Sequence, residues 1–115
     1  MNWNYITSED QLEKLSEESE NQPIMIFKHS STCPISGTAL SRLQRNWNDQ
    51  EVGNLKPYLL DLLSYRPVSN AIAERFGVYH ESPQVIILKN GKAVYDESHF
   101  GISFSEIKDA LNSPD

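Results

Sequence analysis

The chain has 115 residues and a mass of 13.1 kDa, with 38% hydrophobic and 23% charged residues, which predicts one domain across 1–115 with a real core and leaves no room for a second. Ten basic against sixteen acidic residues give a net charge of −6. That balance argues against nucleic acid as a partner, because such affinity comes from Lys and Arg on phosphate, and against an anionic membrane surface. The longest apolar runs, Ile24 to Phe27 and Val85 to Leu88, fall far short of the roughly 20 residues that cross a bilayer.

In chain order, Asn2 to Ile6 reads as a short first strand. Ser8 with Gln11 has capping-box spacing and opens a helix carrying Leu12 and Leu15. Asn21-Gln22-Pro23 ends it, and the glutamates between Ser16 and Glu20 are expected on a solvated face. Pro23 to Lys28 is a nearly unbroken apolar run, which suits a strand covered on both faces. Cys33-Pro34 then opens a helical pattern whose apolar face is Ile35, Ala39, Leu40, Leu43 and Trp47.

Leu55 to Asp61 reads as the next strand, although Pro57 sits badly in a central one. Arg66-Pro67 marks a turn, and Ser69 is expected to cap a helix closed by Gly77. Ser82-Pro83 precedes a second buried strand, Gln84 to Lys89. Asn90-Gly91 is a strong hairpin signal that returns Lys92 to Ser98 antiparallel. Ser103 and Glu106 form another capping box, opening a final helix over Ile107, Ala110 and Leu111. The order β-α-β-α-β-α-β-β-α predicts an α/β protein with a central mixed sheet, mostly parallel with a C-terminal antiparallel hairpin, flanked by helices. This order resembles the thioredoxin fold.

The lone cysteine, Cys33, falls between the first buried strand and its helix, where ligands bind in open α/β sheets. One thiol makes neither an internal disulfide nor a cysteine-based zinc site, and three scattered histidines (His29, His80, His99) do not suggest a metal by spacing. No metal site and no bound cofactor are expected. The first residues carry neither a basic region nor an apolar stretch, so no signal peptide is read, and a reducing cytoplasm is expected.

A thiolate is the nucleophile, and a helix N-terminus favours it through unpaired N–H groups and the positive end of the helix dipole. Pro34 suits the first helical turn. Lys28 and His29 are candidates to add positive charge. Ser36 stands where a Cys-X-X-Cys pair has its second cysteine, so any disulfide on Cys33 must be opened by an external thiol. Ser36 is expected to donate a weak hydrogen bond to the thiolate. Arg66 is read first as a surface or ion-pairing residue, with a ligand contact as the alternative.

The segment Phe27 to Ser36 resembles the YtxJ-type monothiol bacilliredoxins, whose hallmark is Thr-Cys-Pro-Ile-Ser, here Thr32 to Ser36. Arg66 to Asn70 and His80 to Gln84 resemble the same family. The resemblance implies a thioredoxin fold and removal of bacillithiol, a low-molecular-weight thiol co-substrate, from protein mixed disulfides. It implies Cys33 as the attacking residue, with Thr32, Pro34 and Ser36 shaping its surroundings. It also implies Pro83 as a cis-proline facing Cys33, beside which the Ser82 backbone pairs with an extended substrate. In folds of this kind the end of the last strand lies near the cysteine, often with a glycine. This chain has His99 there, expected to contact a ligand carboxylate or the thiolate.

Partners on this reading are S-thiolated client proteins and a low-molecular-weight thiol, with the protein itself expected to be a monomer. Two alternatives stay open: a glutaredoxin-like protein using another thiol, and a non-catalytic binding or stress-response module. Peroxidase activity at Cys33 has no support beyond the thiol itself.

Overall fold

The computed structural model describes residues 1–112; positions 113–115, within the expected domain, lie outside the described residues. Its elements are β1 (Asn4–Tyr5), α1 (Gln11–Glu18), β2 (Ile24–His29), α2 (Pro34–Asn46), a 3-10 turn (Asp49–Glu51), β3 (Lys56–Asp61), α3 (Arg66–Phe76), β4 (Gln84–Lys89), β5 (Lys92–Ser98), a second 3-10 turn (His99–Gly101) and α4 (Phe104–Asn112). The sheet order is β1-β3-β2-β4-β5. The first three strands run parallel, β4 pairs antiparallel to β2, and β5 returns antiparallel to β4.

Side chains alternate along a strand, and this divides the core. Ile24 and Ile26 face Leu12, Leu15, Val68 and Ile72 of α1 and α3. Met25 and Phe27 face Ala39, Leu43, Phe104 and Ile107 of α2 and α4. By the same alternation Lys28 belongs to the α1/α3 face and His29 to the α2/α4 face.

Several local expectations are corrected. The first strand is only two residues long. At α1 the capping box is half made: Gln11 Oε1 accepts from the amides of Thr7 (2.7 Å) and Ser8 (3.1 Å), while α1 has no side-chain cap at its first position. The run from Ser16 to Glu20 is not wholly solvated. Glu18 meets Lys56 and Tyr58, and Ser19 is buried. Arg66 and Pro67 are the first turn of α3 rather than a turn before it, which leaves Ser69 inside the helix and buried instead of capping it. Pro fits that first turn because its missing N–H would have no partner there. Trp47 lies just past α2 in extended conformation, stacked at a tilt 5.1 Å from Phe104.

Pro57 is tolerated for a visible reason. Lys56 N bonds towards β2, so alternation turns the nitrogen of Pro57 towards β1. There the ladder begins only at Tyr58, and Asn4 Nδ2 bonds the Pro57 carbonyl (3.1 Å). The hairpin tip has Asn90 (φ 54°) and Gly91 (φ 76°) both left-handed, as a type I′ turn requires. Its amides are fastened to the end of α1, Asn90 N to Ser19 O and Gly91 N to Ser19 Oγ, each 2.8 Å.

Candidate active site

Cys33 follows the end of β2 after a three-residue loop and stands at the N-cap of α2 in extended conformation (φ −99°, ψ 116°). Its amide bonds Ser30 O and its carbonyl accepts from Gly37 N, each 3.1 Å, so the backbone is held on both sides. The residue is half-buried and unpaired, with Thr32, Pro34 and Ile35 exposed around it. The first turn of α2 contains no acidic residue. The helix's positive end at Cys33 is therefore not neutralised from within that turn.

Ser36 does not serve Cys33 in the way expected. Its side chain is fully buried, Oγ accepts from Ser30 N (3.0 Å), and it lies 2.7 Å from His29 Nδ1. Its hydroxyl has two lone pairs and one proton, so this one side chain joins the Ser30 amide and the His29 ring. Burial pushes the His29 pKa down, opposed by the Asp61 charge on the neighbouring strand. The pair ties the end of β2 to the first turn of α2, holding both ends of the loop that carries Cys33.

Lys28 likewise turns away, as its strand parity requires. Its side chain is fully buried beneath α3, with Nζ 3.2 Å from Ser69 O and 3.4 Å from His80 Nδ1. Burial pushes its pKa down to about 8. Ser69 Oγ is also 3.3 Å from His80 Nδ1. The His80 pKa is lowered, first by burial and then by the charges of Lys28 and Arg66, against an upward pull from Glu81. Arg66 is exposed at the start of α3.

The Ser82–Pro83 bond is cis, and Pro83 O accepts from His99 N (3.0 Å). His99 has φ 55°, the left-handed region that favours glycine, and its Nε2 lies 3.4 Å from Glu81 Oε2. Arg42 of α2 donates to the carbonyls of Phe100 (3.2 Å) and Ile102, tying the turn after β5 to α2. Register places these segments together: Lys28 is opposite Gln84 and Gln84 is opposite Ser98. The Cys33 loop, the Pro83 loop and the His99 turn therefore share one end of the sheet.

Sequence reasoning missed His80, Ser69, Gln84 and Arg42. The signal for the first three was Lys28 itself, a cation at the end of a strand otherwise read as buried on both faces. Two buried polar atoms in this region, Ser82 Oγ and Gln84 Oε1, have no hydrogen-bond partner. Among the described residues, no three His, Cys, Asp or Glu side chains gather to hold a metal, and no helix is long and apolar enough to cross a membrane.

Comparison with known proteins supports the fold. A solved structure presented as a candidate oxidoreductase with a thioredoxin fold is 33% identical, with a TM-score of 0.78 over 92% of this chain and 90% of that one. The Fasciola hepatica thioredoxin is 16% identical (TM-score 0.69; 95% and 96% covered), and Chlamydomonas reinhardtii thioredoxin f2 is 12% identical (TM-score 0.70; 96% and 94% covered). The last two likenesses establish the thioredoxin fold alone. The family model described as monothiol bacilliredoxin BrxC matches residues 4–107. By that match across nearly the whole chain, the protein belongs to the monothiol bacilliredoxin family of thioredoxin-fold oxidoreductases.

Proposed function

We propose that the protein is a monothiol disulfide reductase that removes bacillithiol from protein mixed disulfides through Cys33. The observation that carries this reading is one partly exposed thiol at the N-cap of α2, with a buried serine where a resolving cysteine would stand. The Cys33 thiolate attacks the bacillithiol sulfur of a client–S–S–bacillithiol bond. That bond breaks, the client sulfur leaves as thiolate and takes a proton, and Cys33 carries bacillithiol. A second bacillithiol thiolate attacks the bacillithiol sulfur on Cys33, releasing the oxidised dimer and restoring the Cys33 thiolate. No step needs a metal or a bound cofactor.

Thr32 and Pro34 border the sulfur. The Ser82 backbone beside Pro83 offers an extended client an edge for pairing. His99 lines the same opening. The partners are S-thiolated clients and the free thiol, in a reducing cytoplasm, with the protein acting as a monomer in the response to oxidative stress.

The test is intact mass after incubating reduced protein with peptide mixed disulfides carrying bacillithiol, glutathione or coenzyme A. Preferential transfer of bacillithiol to Cys33 is expected. Preference for another thiol would replace bacillithiol with that thiol, and no adduct from any donor would favour a binding module. Cys33→Ser is expected to lose all transfer, and turnover by that variant would sink the mechanism.

A further inference from the structure

A buried lysine without a carboxylate is costly, because desolvating an ammonium is repaid only by strong partners. Lys28 is fully buried, and its two contacts are the Ser69 carbonyl and the His80 ring. A methionine or leucine would fill the same space under α3 at less cost. An ammonium has only N–H donors. Lys28 therefore forces His80 Nδ1 to accept, and the Ser69 hydroxyl at 3.3 Å fits the same assignment. The proton of a neutral His80 then sits on Nε2, as a donor.

His80 is partly exposed, three residues before Pro83, on the loop that shares the sheet end with Cys33. Arg66 opens α3, the helix that covers Lys28, and its charge is among the causes that lower the His80 pKa. The charges set against these are Glu81, which faces His99 at 3.4 Å, and Glu74, which lines the shallow cleft beside His80. Lys28 of β2 thus backs one imidazole that is partly open to solvent.

We propose that His80, with Lys28 as its positioning residue, recognises a carboxylate next to the disulfide that Cys33 attacks. This rests on the exchange reaction proposed above. The carboxylate belongs either to the low-molecular-weight thiol or to an acidic side chain of the client. An N–H donor backed by positive charge binds a carboxylate more tightly than a neutral amide of the same shape.

The experiment compares three mixed disulfides built on a fluorescent cysteine peptide. One carries N-acetylcysteine, one carries its neutral amide, and one carries the amide with an aspartate next to the peptide cysteine. A rate about tenfold higher for a carboxylate-bearing donor is expected. The donor that shows it identifies which half is read. In His80→Ala and Lys28→Met the ratio is expected to fall towards one. Equal rates for all donors in the wild type, or an unchanged ratio in both variants, would overturn the inference while leaving exchange at Cys33 intact. No transfer from any donor would overturn the exchange itself, and this inference with it. A readout independent of turnover is the nitrogen NMR spectrum of His80 in the wild type. It should show the Nε2–H tautomer and shift on titration with N-acetylcysteine carboxylate. A His80 protonated on Nδ1, or unmoved by the titration, would also overturn the inference, whether or not Lys28→Met folds.

Discussion

Two lysines on the same face of the sheet make the most instructive comparison in the molecule. Lys56 opens β3 and Lys28 lies opposite Leu60 near the other end of that strand. Lys56 Nζ is 2.8 Å from Glu18, Tyr58 donates to the same carboxylate at 2.7 Å, and both charged side chains are about a third exposed. Every member there has an opposite number. Lys28 is sealed from water, has no carboxylate, and lies opposite Gln84, whose Oε1 is buried without a partner among the described residues. A fold seeking only stability would have treated both ends like the first. The difference marks the end where Cys33 lies as the one where stability has been given up, which is common at sites arranged for chemistry.

The largest expected effect follows from Lys28. Folding lowers the pKa of this base from 10.5 to about 8. Between those values the unfolded chain binds more protons than the folded one, so stability is lowest below about 8 and rises with pH through that window. Lys28→Met should be about 2 kcal/mol more stable than wild type at pH 7. The gap should close by up to about 1.4 kcal/mol per pH unit between about 8 and 10. Urea unfolding at pH 7 and 9.5 measures both, and a gap indifferent to pH would remove the contrast between the two lysines.

Ser82→Ala deletes a buried hydroxyl without a partner and should stabilise the protein by about 1 kcal/mol; a loss of that size would reveal a partner for Ser82. His99→Gly relieves a left-handed side-chain position worth about 1 kcal/mol and loses a half-exposed pair with Glu81 worth less. It should raise the thermal midpoint slightly while slowing exchange. An unchanged exchange rate would remove His99 from the site. At the neutralised end the sign should reverse: Glu18→Gln should cost about 0.5 kcal/mol, since that pair is partly solvated. A stabilising Glu18→Gln would mean that the two ends do not differ in kind.

The elements were legible wherever the signal was local. The apolar runs of β2 and β4, Gly77 in the left-handed conformation after α3, the Asn90-Gly91 turn and the Ser103 cap on Glu106 N (3.2 Å) all depend on near neighbours. Cys33 at the N-cap of α2 was legible for the same reason. The start of α3 was not, because Arg66-Pro67 serves a turn and a first helical turn equally well. The site's polar wiring was the least legible. Which way Lys28 and Ser36 point depends on which face of β2 each helix covers. The contact of Lys28 with His80 joins residues 52 apart in the chain. Hydroxyl and imidazole partners at such separations are set by packing, and no spacing rule reaches them.

The hairpin tip carries a further consequence. Its two amides are bonded to Ser19 at the end of α1 rather than within β4 and β5. The slowest-exchanging amides of a hairpin normally report the opening of the hairpin itself. Here the protons of Asn90 and Gly91 should exchange in step with the fraying of α1. A solvent-isotope label at that tip would therefore report on a helix more than seventy residues upstream.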